Sequence, residues 1–402
     1  MVLTLSQVNE YLAHKQHLLP SSRLTNVEQV TRDIVALHAT ISTSPYLSPW
    51  ARVPDFQRQA LEDALYERRV LVKVLCMRTT LHVVASDELP YFFHAAVERS
   101  LPPGFGGWES FLVWAGLCQE DEEKELLEDL HRRVLAVVAQ KGPCTVQTIS
   151  QAVPELRAKI RHDLGKSYEG EFSVGSRLVP RMCSLGLLVR ARPRGGWRSS
   201  QYEYALLSEW LPAVDLKSVT PREARKWLVR RYLAAFGPAT TGAVQWWTGF
   251  PNRDAQEALC ALGSEIVPVA IQGADDEYLM LTDDAQRLRE FTPANTPYIF
   301  LLPSLDPYIM GYKDRSRFLF SEHRSKVFDR AGNAVPTVWA NGRLVGVWGQ
   351  RKEDGSVIYH LFETVNAEAQ KLLAIEAQRL EGFLGGEYLS IPFRTPFTRA
   401  LA

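Results

Sequence analysis

Apolar residues along this chain switch between two periods. Val27, Val30, Ile34 and Leu37 recur at near-helical spacing, which predicts a helix with one apolar face. That helix is expected to run into His38-Ala39-Thr40. Pro45 and Pro49 are then expected to turn the chain out into a Ser/Thr/Pro loop. Further on, one order of patterns occurs three times: a helix rich in Leu, Ala and Arg, then two short β-branched strands around a turn. The first copy is Phe56–Arg68, then VLVKVLCM and TLHVVA about Arg78-Thr79. The second is Gly175–Leu185, then strands turning at Pro193-Arg194-Gly195-Gly196. The third is Arg253–Leu262, then strands turning at Gly273-Ala274-Asp275-Asp276.

Helices followed by a hairpin are the winged-helix plan, a helix-turn-helix with a β wing. Three units are expected, over 1–115, 120–215 and 218–290. The acidic run Glu120–Glu128 opens the second, read as a solvated helix face that suits the helix N-terminus. Thr220-Pro221-Arg222-Glu223 reads as the capping signal of the third. After Phe291 the pattern becomes aromatic and strand-like, broken by Ala331-Gly332-Asn333, Asn341-Gly342 and Asp354-Gly355. Residues 291–402 therefore predict a small antiparallel β domain over Tyr298–Glu363, closed by a helix over Asn366–Phe383 that Gly385-Gly386 ends. The expected fold class is α+β.

Composition narrows the function. The chain has 402 residues, is 46% hydrophobic and 23% charged, and carries 46 basic against 46 acidic side chains. It is globular, and it lacks a uniformly basic coat for nucleic acid. Local basic clusters remain. Arg177 and Arg181 share a face of the second unit's last helix, and Arg190, Arg192 and Arg194 alternate into its wing. With Trp197 beside them they are candidate phosphate contacts for double-stranded DNA. Lys313, Arg315 and Arg317 form a second cluster. Five scattered cysteines without a Cys-x-x-Cys fit a reducing cytoplasm rather than a disulfide framework or zinc knuckle. We find no metal-ligand spacing, no glycine-rich phosphate loop, no His-Glu-x-x-His, no leader peptide and no run approaching a membrane span. No cofactor and no membrane partner are expected. Without a long heptad helix to pair half-sites, a monomer is expected.

His38 is the titratable group with a near-neutral intrinsic pKa in the first segment, as either a catalytic imidazole or a helix-end capping residue. His82 alternates away from Leu81 and Val83 on its strand. Asp306 precedes Pro307, as either a turn residue or a carboxylate facing a cleft.

Several stretches together resemble the three-winged-helix DNA glycosylases, which excise alkylated purines and unhook interstrand crosslinks. They are Ile34–Trp50 with its Pro49-Trp50-Ala51-Arg52 ending, Arg78-Thr79-Thr80-Leu81-His82, AFGPAT at 235–240, LLPSLDPYIMGYKDRSRF and GRLVGVWG. The family closes its catalytic segment with Gln-x-Gln or Gln-x-Asp; this chain has His38-Ala39-Thr40. The resemblance implies base excision by water attack on the N-glycosidic bond. His38 would hold or activate the water, Thr40 would orient it, and Asp306 would support the cationic sugar. It implies a pocket including His82, Trp50 and Tyr308, damaged DNA as partner, and a cytoplasmic, nucleoid-associated enzyme. The alternative is a winged-helix DNA-binding or regulatory protein without catalysis, because fold does not establish chemistry.

Overall fold

The computed structural model describes residues 2–97, 110–162, 170–293, 296–393, 395, 397 and 398. The chain opens with β1 (Val2–Leu3), α1 (Leu5–Lys15), α2 (Val27–Asp33), β2 (Leu37–His38) and α3 (Ser44–Trp50). Then come β3 (Leu71–Cys76) and β4 (Thr80–Ala85). The middle of the chain holds α4 (Glu123–Lys141), β5 (Lys159–His162), β6 (Gly170–Ser173), α5 (Val174–Ser184), β7 (Leu188–Pro193) and β8 (Tyr202–Leu206). It continues with α6 (Pro221–Phe236), α7 (Asn252–Leu262), β9 (Ile266–Ile271), β10 (Tyr278–Leu281) and α8 (Thr282–Glu290). The last elements are β11 (Ile299–Leu302), β12 (Thr337–Ala340), β13 (Arg343–Gln350), β14 (Val357–Leu361) and α9 (Ala367–Leu384).

Two compact units form. One gathers residues 1–63, 82–85 and 225–402; the other gathers 64–81 and 86–224. Mixed helices with small, mainly antiparallel sheets are the α+β class that the pattern predicts.

In the first unit, β11, β12, β13 and β14 make one antiparallel sheet in chain order. Asn341 and Gly342 have φ of 48° and 75°, the left-handed pair that an Asn-Gly hairpin turn requires. Ala331-Gly332-Asn333 instead lies in a loop closed by a single bridge between Phe328 and Ala334. Aromatic rings fill the core: Trp339 lies 4.9 Å from Phe318, 5.0 Å from Tyr308 and 5.6 Å from Phe300, centroid to centroid. Asn366 caps α9 through the Ala369 amide, and Gly385 ends it at φ 60°. The wing β9–β10 is antiparallel as expected, and β1 adds to it in parallel, with Leu3 opposite Ile271. A two-residue strand is too short to show a period.

The segment leading to His38 departs from the expected helix. α2 ends at Asp33, and Val35 takes a left-handed φ of 71°. Apolar spacing continued past this break because Ile34 and Leu37 are both buried, one as the helix cap and the other in a strand. The prolines also behave differently. Pro45 sits in the first turn of α3, where its missing N–H costs nothing. Pro49 lies inside α3, which then ends through amides of Ala51 and Arg52 on the Leu47 and Pro49 carbonyls.

In the second unit, Leu127, Leu130, Val134 and Val138 place one stripe of α4 in the core with Leu178 and Met182 of α5. The hairpin β7–β8 turns through Gly195 and Gly196, at φ 89° and 78°. A further antiparallel pair, β5–β6, immediately precedes α5.

Candidate active site

β2 pairs with β4 antiparallel, with Leu37 opposite Val83 and His38 opposite His82. Opposed residues of an antiparallel pair project to the same face. The two imidazoles therefore lie side by side, with centroids 4.8 Å apart and planes tilted by 55°. Both are buried, at 4% and 8% exposure. Two residues on, the chain reaches the surface and Thr40 is exposed. The Thr40 amide donates to His38 Nδ1 over 3.4 Å. An N–H can only donate, so in neutral His38 the ring proton lies on Nε2. A second proton at Nδ1 would set two donors against each other.

Asp306 is elsewhere in its bonding. It caps the short helix Pro307–Met310, and both it and Arg52 have 0% exposure. Arg52 Nη2 donates to Oδ1 at 2.8 Å and Nη1 to Oδ2 at 2.9 Å. Ser48 Oγ donates to Oδ2 at 2.7 Å and the Tyr308 amide to Oδ1 at 2.9 Å. Four donors occupy the carboxylate's lone-pair positions. Arg52 also donates to the carbonyls of Gln16 and Ser48. This carboxylate does not face a cleft; its geometry is that of the turn residue. Sequence reasoning quoted Arg52 without assigning it. Ser48 lies on α3 and Arg52 just past its end, so no helical spacing marked the pair, and their partner Asp306 is 254 residues beyond Arg52.

Trp50 and Tyr308 are likewise core residues, at 3% and 1% exposure. The Arg379 guanidinium covers the Trp50 ring at 3.8 Å and donates to its carbonyl. Burial raises the Tyr308 hydroxyl well above the ordinary tyrosine range.

The expected DNA-contacting residues divide. Arg177 is exposed and lies 4.0 Å over the Phe172 ring. Arg194 is exposed and pairs with Glu203 at 2.9 Å, and Lys313 is exposed. Arg192 pairs with Glu67 at 2.8 Å and lies over Tyr66. Arg181 and Arg190 are buried, at 8% and 9% exposure, and Arg315 at 6%. Arg181 lies seven residues, nearly two helical turns, after buried Val174, on the side of α5 that packs into the core. Arg315 reaches back to the Ile309 and Lys313 carbonyls, and Arg317 to the Pro238 carbonyl. Among the described residues, no cluster of metal-ligating side chains forms and no helix is long and apolar enough to cross a membrane.

An interstrand DNA cross-link repair glycosylase of Streptomyces sahachiroi is 27% identical over 286 residues, 69% of this chain and 70% of its own length. The solved structure of Streptomyces sahachiroi DNA glycosylase AlkZ superimposes with a TM-score of 0.73 at 21% identity, covering 97% of this chain and 99% of the other. It shares the fold. The model of the family described as DNA glycosylase AlkZ-like matches residues 31–383, from the end of α2 to the last turn of α9. The chain belongs to the AlkZ-like DNA glycosylase family.

Proposed function

We propose that the protein excises alkylated or bulky bases from double-stranded DNA, interstrand crosslinks among them, by water attack on the N-glycosidic bond. The observation that carries this is the pairing of a buried, oriented imidazole at His38 with an exposed hydroxyl at Thr40, in the segment that resembles the family's catalytic motif. Cleavage builds positive charge on the sugar, so the site must hold a water near the sugar carbon without adding a cation. With Nδ1 accepting from the Thr40 amide, His38 fixes the water as a hydrogen-bond partner, and the Thr40 hydroxyl orients it. A damaged nucleotide must leave the base stack to reach them. Asp306 then serves at a distance, by fixing α3 through Arg52 and Ser48. We propose a monomer that works on chromosomal DNA in the cytoplasm and needs no cofactor.

The test is incubation with alkylated and crosslinked duplexes, reading abasic sites. Excision by the wild type, lost in His38→Ala, is expected. Acidification that protonates His38 should lower excision, since the imidazolium loses the Thr40 bond and repels the sugar cation. A wild type that excises nothing, with activity appearing in His38→Gln/Thr40→Gln, would mean that the protein binds DNA without catalysis.

A further inference from the structure

We propose that a small cavity beside the catalytic segment is the closed form of the pocket that receives the extruded base, and that the chain after α9 is its movable wall. This rests on the reading that His38 and Thr40 hold the attacking water. The cavity lies within the first unit. It is lined by Ile41, Ser44, Ser304 and Trp348, and by Leu389 and Ile391 of the segment that follows α9.

Ile41 directly follows Thr40, and consecutive Cα atoms lie about 3.8 Å apart, so the cavity begins within one residue of the hydroxyl that orients the water. The base is joined to the sugar carbon that the water attacks, so it must lie close to that hydroxyl. The lining is mainly apolar, and it holds one polar atom that lacks a partner. Ser304 is 5% exposed, and its Oγ makes no hydrogen bond among the described residues. A buried hydroxyl left unpaired costs stability, so one kept in an apolar cavity marks a place for a polar ligand atom. Apolar walls with a single placed hydroxyl suit a planar base, with the ring against the walls and one polar edge atom on Ser304. The hydroxyl is held in position from below. Ser44 Oγ donates to the Ser304 carbonyl at 2.8 Å, and Ser48 and Arg52 clamp Asp306, two residues on.

The closed cavity has room for about one water molecule, so a base enters only when a wall moves. The segment after α9 is the wall that can. Gly385 and Gly386, at φ 60° and 80°, join it to the helix. Hydrogen bonds pin it at two places. Gln350 Nε2 donates to the Glu387 carbonyl at 3.1 Å, and Gln350 Oε1 accepts from the Leu389 amide at 2.9 Å. Further on, Thr395 Oγ1 donates to the Lys326 carbonyl at 2.9 Å, and the Phe397 ring lies 5.1 Å from His360. Between the pins, Ser390 and Pro392 are exposed and Ile391 is half-buried, and among the described residues these three make no hydrogen bond. A stretch held so lightly opens at lower cost than the sheet it covers. The family model ends at residue 383, so this wall lies outside the part of the chain that the model matches.

The experiment measures, by fluorescence competition, the preference for a duplex with one methylated guanine over the undamaged duplex. The lesion carries a fluorine on the sugar that blocks cleavage, so the readout needs no excision. Ser304→Ala should lower the preference by about three- to tenfold, the scale of one hydrogen bond. Its melting temperature should stay equal or rise, because the hydroxyl has no partner to lose. Ile391→Trp, which fills the cavity, should abolish the preference. Ile391→Ala, which widens it, should shift the preference from methylated towards benzylated guanine. If Ile391→Trp does not fold, the other two variants decide. Wild-type preferences in the variants would overturn the proposal, and so would a wild type that does not prefer the lesion. A lower melting temperature with unchanged preference in Ser304→Ala would overturn it too, since the hydroxyl would then hold an internal water. A protein that prefers the lesion without excising it keeps the pocket and loses the catalytic reading. One that excises while the variants keep wild-type preference keeps the catalysis and loses the pocket.

Discussion

Two polar clusters lie on either side of the same loop, and they are built differently. Ser48, Arg52 and Asp306 are 0% exposed, and every lone-pair position of the carboxylate has a donor. His38 and Thr40 form a graded edge, with a buried ring whose neighbour two residues on is exposed. A closed network fixes backbone and cannot bind anything further without breaking. An edge presents an oriented group to solvent. The first cluster is where a mutation should cost stability, and the second is where it should cost rate.

The largest effect should come from opening the closed network. Arg52→Met leaves Asp306 charged and buried without its partner, which typically costs about 3–5 kcal/mol. Urea denaturation should show that loss, and Asp306→Ala a similar one. If either variant melts like the wild type while excision disappears, Asp306 acts on substrate and the comparison between the clusters is broken.

His38→Ala should do the opposite. Excision should fall by about 10²–10³-fold, the scale of removing one positioned hydrogen-bonding group, with duplex affinity and urea midpoint nearly unchanged. An affinity loss as large as the rate loss would make His38 a binding residue. Ser48→Ala should be milder than the Arg52 change, because Arg52 still holds both carboxylate oxygens. Losing one hydrogen bond to a charged acceptor costs about 1.5–3 kcal/mol. A larger loss would place Ser48, rather than Arg52, at the centre of the network.

These contrasts explain what could be read from sequence. The hairpins were legible because paired glycines and Asn-Gly mark turns, and strand alternation marks faces. Gly195-Gly196 and Asn341-Gly342 adopt the left-handed angles their residue types imply. The C-terminal helix was legible to within one residue because Asn366 and Gly385 cap it. The break before His38 was not, since a left-handed Val35 has no local signature: β-branched residues rarely adopt that angle. The role of Asp306 depended on Arg52, 254 positions away, and no spacing rule spans that distance. Burial of Arg181 and Arg190 was hidden because arginine reads as surface by type, whereas its aliphatic stem packs well against a core.

The smallest predicted effect refines the basic wing. Arg177 is exposed and stacked on Phe172, so it can reach a phosphate without leaving a buried charge behind. Arg177→Ala should flatten the salt slope of duplex binding by about 0.9 and leave the urea midpoint in place. Arg190→Ala should do the reverse, because its side chain is packed among Tyr204 and Cys183, whose ionisation it affects. Changing Arg177, Arg181 and Arg192 together would mix the two outcomes, since Arg181 is buried and Arg192 is held by Glu67. The single substitutions separate them. Equal slopes for Arg177→Ala and the wild type would remove the last arginine of α5 from the DNA interface.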